Sequence, residues 1–369
     1  MARRTKPLKA DPLPKPERFF ELELKNEEAP SLTTMESLYV LAAELFDRQP
    51  WDLIASSDLI VVEIAPKELG FCSIMGELGE VFALQVFLGD EGYRLFQRIQ
   101  KHDALSAGEF LAMNRGVMVE FVRKSELEAP DRQFLKAMGH PSGKGMMAPK
   151  FRTSRPGYHP WYVTESEANL LAECIRAVMA MLDVMKEHQD VEFWIKEDRY
   201  PLVTLEPNGQ KYHVRMVDIP ESPLPMPKMP VLNESRIQNI RRHHFPSKGA
   251  IQMDHFYSVV PIGEAKARKS CMRMAIAIDA ETGFAYAPEV VSAESLTGDV
   301  LTNVLLNAIE AVKAVPQEVQ VSSREYKMLL TPLADTLGFP VKFSASLPAL
   351  EFAKNSILEM MGDSGPMEY

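Results

Sequence analysis

The chain has 369 residues, more than one hydrophobic core usually serves, so two domains are expected. Hydrophobic residues make up 46% and charged residues 25%, and the net charge of −10 excludes wholesale coating of nucleic acid while leaving room for a local basic face. No run reaches membrane-spanning length and no apolar signal core follows the basic start Met1-Ala2-Arg3-Arg4-Thr5-Lys6, so a soluble cytoplasmic protein with no membrane partner is expected.

Residues 1–30 are rich in Lys, Arg, Glu and Pro without periodicity, which predicts a poorly ordered tail. Thr33-Thr34-Met35-Glu36 has the spacing of a capping box, and Leu38, Leu41, Ala42, Leu45 and Phe46 then recur at helical spacing until Gln49-Pro50-Trp51. The β-branched run Asp58–Ile64 reads as a strand, Gly70–Gly76 as its hairpin partner and Val81–Leu88 as a third strand. Between the last two lie Glu77 and Glu80, carboxylates flanked by glycine that suit either a cation or a plain turn. A helix follows from Gly89, then a strand over Val117–Val122 and a loop or lid with Gly139, Pro141, Gly143 and Gly145. The aromatic phrase Arg155-Pro156-Gly157-Tyr158-His159-Pro160-Trp161-Tyr162 precedes a second capping box, Thr164 to Glu167, which opens a long amphipathic helix. Trp51, Tyr158 and Trp161 are the candidates for a small-molecule pocket in this half; stapling of a helix start is the plainer use of such residues. Two strands, Pro201–Leu205 and Lys211–Val217, turned at Asn208-Gly209, complete the half. Cys72, Cys174 and Cys271 lie far apart without a CxxC spacing, so buried free thiols in a reducing compartment are expected.

Several of these phrases carry a resemblance. The run from Gln49-Pro50-Trp51 through Cys72-Ser73-Ile74-Met75-Gly76-Glu77 to Gly89-Asp90-Glu91-Gly92, with Pro156-Gly157-Tyr158 and Pro160-Trp161, resembles an uncharacterised bacterial family. Its members consist of two consecutive domains of unknown function. The resemblance implies an architecture and no activity.

Pro220, Pro223, Pro225, Pro227 and Pro230 then fix φ and remove amide donors, so residues 219–231 are expected to form an extended linker. It divides an α+β domain over 31–218 from a second domain over 232–369. That second half opens with a basic helix or arm, where Arg236, Arg241, Arg242 and Lys248 are candidate nucleic-acid contacts, or else a solvated charge run. Strands follow at Ile251–Val260, at the almost wholly apolar Met272–Asp279 and at Phe284–Val291. A helix around Val300–Val312, a short strand at Glu318–Ser322, a helix over Tyr326–Leu337 closed by Gly338, a strand at Pro340–Phe343 and a helix from Pro348 end the chain.

Three antiparallel strands, then helix, strand, helix, strand and helix is the order of the ribonuclease H-like fold. Around Gln252-Met253-Asp254 and Asp279 the half resembles the core of integrases and DDE transposases over about one hundred residues. The resemblance implies clustered carboxylates holding divalent cations around a scissile phosphate. Asp254 matches the first position. Ser322-Ser323 stands where the second carboxylate belongs, Glu325 lies nearby, and Glu351 in a helix's first turn is the candidate for the third. One match in three favours a fold kept for binding or assembly. The leading expectation is a protein without enzymatic activity, with a protein or nucleic-acid partner and no cofactor. One alternative is a metal-dependent nuclease using Mg, Asp254, Asp279, Glu325 and Glu351; the other is a small-molecule binder.

Overall fold

The computed structural model describes residues 29–361 apart from 66–67, 102, 104, 139–146, 188–198, 207–210, 220–224 and 265–266. The expected tail over residues 1–28, the glycine-rich loop, the Asn208-Gly209 turn and the start of the proline run lie outside the described residues.

The first domain contains, in order, α1 (Leu32–Arg48), β1 (Ile60–Ala65), β2 (Glu68–Met75), β3 (Phe82–Leu88), α2 (Gly89–Gln100), α3 (Ala107–Met113) and β4 (Gly116–Arg123). It continues with α4 (Ala129–Ala137), β5 (Met147–Ser154), α5 (Glu165–Glu187), β6 (Arg199–Leu205) and β7 (Tyr212–Asp218). The described strands form one sheet in the order β5-β4-β3-β2-β1-β6-β7, antiparallel except where β1 meets β6. Helices α1 and α5 cover one face over a core that includes Leu38, Leu45, Ile60, Leu84, Leu171 and Val178. Helix α2 covers the other, over Phe71, Phe87, Leu95 and Phe96. Because helices lie on both faces, β2 is buried from Gly70 to Ile74 without alternation.

Helix α5 starts in the expected capping box: Thr164 N donates to Glu167 Oε2 at 2.9 Å and Glu167 N to Thr164 Oγ at 3.2 Å. Helix α1 corrects the other expected box, because its cap is Ser31, whose Oγ accepts from Thr34 N at 3.1 Å. Glu165 of α5 takes over the role assigned to Glu36, accepting from Ser31 N at 2.5 Å and Thr34 Oγ at 2.6 Å. The long-range carboxylate won over the local one.

The second domain contains α6 (Glu234–Arg242), β8 (Ala250–Ile262), β9 (Ser270–Asp279), β10 (Ala285–Val291), α7 (Thr297–Val312), β11 (Glu318–Val321), α8 (Arg324–Leu337), β12 (Val341–Phe343) and α9 (Pro348–Met360). Its sheet runs β10-β9-β8-β11-β12; the β8–β9 and β9–β10 pairs are antiparallel, the β8–β11 and β11–β12 pairs parallel. Strand β9 reads as continuously apolar, yet it sends Ala275 and Ala277 into the core under α7 and α8, and Met274, Ile276 and Ile278 into the core under α9. Period two survives inside a hydrophobic run because both faces are buried. Gly338 ends α8 at φ +82°, donating to Ala334 O at 2.7 Å.

The result is a two-domain architecture of mixed α/β content, in which each sheet mixes parallel and antiparallel pairs. Residues 225–233, between the domains, form neither helix nor strand, and Val231 N docks on Asp299 Oδ1 at 2.9 Å. The domains also touch directly. Helix α3 lies on β8 so closely that a Cβ at Gly108 would sit 2.3 Å from Tyr257 O. Among the described residues no helix is long and apolar enough to cross a membrane.

Candidate functional site

Two clefts open where the domains meet. The smaller, of about 240 Å³, forms between α3 with the end of α2 and the middle of β8. Arg98, Ser106 and Glu109 reach it from the first domain; Asp254, His255, Tyr326 and Lys354 come from the second. Asp254 is half-buried, and burial raises its carboxyl above the usual range against the opposing pull of Lys354, a Ser322 hydrogen bond and His255 N–H. The His255 N–H donates to Oδ1 at 2.8 Å. His255 packs against Tyr257 and Tyr326, its Nδ1 has no partner among the described residues, and burial with the nearby Arg273 and Lys354 pushes its pKa down to about 3. Glu109 is spent on the capping box of α3, where its Oε2 accepts from Ser106 N at 2.8 Å.

The other candidate carboxylates do not join Asp254. In the β8–β9 register Asp254 faces Ile276, whereas Asp279 faces Ile251, three residues and about 10 Å along the strand pair. Asp279 caps a turn: its Oδ1 accepts from Thr282 N at 2.8 Å and its Oδ2 from the Tyr286 hydroxyl at 2.9 Å. Glu351 accepts from Leu347 N at 2.9 Å and so serves the start of α9. Glu325 stands exposed in the first turn of α8, close enough to act on Tyr326. The strand β11 ends at Val321, and Ser322 follows it as Asp254's partner. Glu77 and Glu80 are exposed in the β2–β3 turn. Among the described residues no cluster of three His, Cys, Asp or Glu is placed to hold a metal ion. The donor set around Asp254, one carboxylate already hydrogen-bonded and flanked by Lys354, does not fit the two cations that the ribonuclease H-like resemblance implies.

The basic candidates divide. Arg236 makes a forked pair with Glu310 at 3.0 and 2.7 Å and also holds Asn307, which ties α6 to α7. Arg241 donates to Thr336 O at the end of α8. Arg242 and Lys248 are exposed.

The larger cleft, of about 710 Å³, contains two of the three pocket candidates. Trp51 is not among them, because it lies 5% exposed in the first domain's core against Phe46, Phe82 and Phe121. Tyr158 and Trp161 line the cleft through a turn that crosses to the second domain. Pro156 and Gly157 occupy its central positions, Gly157 at φ +82°, and Tyr158 N closes it on Arg155 O at 2.9 Å, the signature of a type II turn. The turn then pairs with the start of β9: Cys271 N donates to Gly157 O and His159 N to Lys269 O, each at 2.9 Å. This pairing brings Arg155 beside Arg268. Arg155 is bonded to Glu167 at 3.1 Å, and the Tyr158 hydroxyl donates to Glu294 at 2.7 Å. Among the described residues neither terminal nitrogen of Arg268 has a partner, and nor has Trp161 Nε1.

Arg268, His255 and α3 were not foreseen from the sequence. Arg268 stood inside a charged turn, and nothing local marks it. The Arg155–Trp161 phrase was a signal for it, since its proline and glycine announce the turn that meets the start of β9 next to Arg268, and the Ser106-x-x-Glu109 spacing was the signal for α3.

Residues 36–202 match a family model described as a domain of unknown function (DUF7309), and residues 236–358 match a second, described as a domain of unknown function (DUF6930). The two matches follow one another on either side of the proline run, as the resemblance to a two-domain family implies. No curated protein matches the chain. What the chain does is therefore a question for its geometry.

Proposed function

We propose that this chain is a bacterial cytoplasmic binding or assembly protein without enzymatic activity, whose second domain keeps a ribonuclease H-like fold joined by a proline-rich linker. The strand order β10-β9-β8-β11-β12, with the first three strands antiparallel, supports the fold. Three buried free thiols suit a reducing compartment.

The observation that carries the reading is the surroundings of Asp254. Metal-assisted phosphoryl transfer needs several anionic oxygens at fixed places and an approach for the phosphate. Here the nearest carboxylate from the same domain's expected set is replaced by Ser322, Lys354 supplies a cation, and α3 of the first domain lies across the strand. Any nucleic-acid affinity rests on Arg242 and Lys248, since Arg236 and Arg241 are engaged within the domain. Such contacts are weak and salt-sensitive.

Incubation of the full chain with end-labelled DNA and RNA in Mg²⁺ or Mn²⁺ should leave both uncut. Cleavage that disappears in Asp254→Asn would overturn the reading and make this domain a nuclease.

A further inference from the structure

We propose that the larger cleft binds a small anion, a carboxylate or phosphate head carried on an apolar body, with Arg268 as its principal contact. The inference deepens the binding reading above and rests on it.

Arg268 carries the argument. Both terminal nitrogens are shielded from water and hydrogen-bond to nothing among the described residues. A buried donor without a partner is costly, and a charged one more so. Burial and the neighbouring Arg155 weaken its hold on the proton, to a pKa of about 10, which still leaves it cationic at neutral pH. Trp161, which also lines the cleft, has its buried Nε1 unpaired among the described residues. Guanidinium and indole N–H groups can donate and cannot accept. These side chains therefore call for an acceptor, and two adjacent guanidiniums favour an anion.

The carboxylates nearby do not supply it. Glu167 is taken by Arg155 and Glu294 by Tyr158, and Glu264, which also lines the cleft, makes no hydrogen bond to the Arg268 terminal nitrogens. A guanidinium suits carboxylate and phosphate alike, because its planar fork meets two oxygens at once. The remaining wall is mixed: Ile262, Val290 and Val291 are apolar, whereas Glu264, Ser270 and Ser292 are polar. Val290 is 54% exposed and Ile262 38%, so a ligand body has apolar surface to cover. The volume of about 710 Å³ lies in the range of small-molecule sites.

The test is isothermal titration of the full chain with phenyl phosphate, benzoate, inorganic phosphate and neutral benzyl alcohol. At least one of the two aryl anions should bind saturably, inorganic phosphate and benzyl alcohol at least tenfold more weakly. Preference for phenyl phosphate assigns the head to phosphate, and preference for benzoate assigns it to carboxylate. Arg268→Gln should weaken the aryl anion at least tenfold and Arg268→Lys severalfold, while Arg242→Gln leaves it unchanged. Because Arg268→Met removes an unpaired cation, the ligand-free variant should melt no lower than the parent chain. Failure of both aryl anions to bind, binding indifferent to Arg268→Gln, or a clearly lower melting temperature for Arg268→Met would each overturn the proposal. None of these outcomes bears on the nuclease assay, so the two readings fail separately.

Discussion

At the scale of single residues, the side chains between the domains set the acid response. His255 is held neutral, with its pKa lowered from 6.5 to about 3 by burial first and by Arg273 and Lys354 second. A depressed histidine contributes stability that is fully present above 6.5 and is lost as pH falls toward 3, because only the unfolded imidazole gains its proton freely. Asp254 beside it runs the other way, since its raised carboxyl favours the folded state at low pH. The two shifts oppose each other, but an unfolded imidazole takes up its proton between pH 7 and 5, whereas an unfolded carboxylate does so below that window. His159, also depressed by burial, acts in the same direction. Between pH 6.5 and 5 the parent chain should therefore lose on the order of 1 kcal/mol per pH unit through His255. His255→Phe keeps the ring between Tyr257 and Tyr326 and removes the proton site. Melting temperatures at pH 7 and pH 5 should show the parent falling several degrees further than the variant; equal falls would place the acid response elsewhere.

At the scale of elements, α3 decides how the domains sit. It has seven residues, too few for a hydrophobic period to show, and its sequence Ala-Gly-Glu-Phe-Leu-Ala-Met gives no hint of a partner. Its glycine marks the place where helix meets strand. In Gly108→Ala the new Cβ would meet Tyr257 O, which is backbone and cannot swing aside. The variant should melt a few degrees lower, and trypsin should cut faster after Lys228 in the exposed segment between the domains. Unchanged melting and unchanged cleavage would show that α3 is a passive neighbour. The same element explains what the sequence hid. Strands with β-branched runs, helices with capping boxes and the αL glycine at 338 are local signals, and they placed most of the core. Strand β5 was missed because Pro149, Lys150 and Arg152 break its pattern. It is an edge strand where a missing amide is tolerated, and buried Arg152 is satisfied by Asp131 at 2.7 Å. The site was legible only as the phrase Arg155–Trp161, since its other half lies more than a hundred residues away and meets it through backbone pairing.

At the scale of the molecule, the question is whether the two domains are independent folding units or halves of one. Each face of each sheet has its own hydrophobic cluster, and among the described residues none of these clusters draws from both sides of the proline run. A core that closes within one domain should fold within it. The junction is made of different material: backbone pairing between Gly157 and Cys271, the contact of Gly108 with Tyr257, and partly polar clefts on either side. Contacts of that kind resemble a docking interface more than a divided core. Fragments spanning 31–218 and 232–369 should therefore each melt cooperatively when expressed alone. The second should be the less stable, because separation uncovers Ser258 and Cys271, both buried in the intact chain. Mixing the fragments should raise both melting temperatures in a concentration-dependent way, as mass action requires of partners that bind only when folded. The linker's part would then be to raise the effective concentration of one domain near the other, not to supply structure. If either fragment lacks a cooperative transition alone but gains one on mixing, the junction is part of that domain's fold, and the division at the proline run marks a boundary in sequence only.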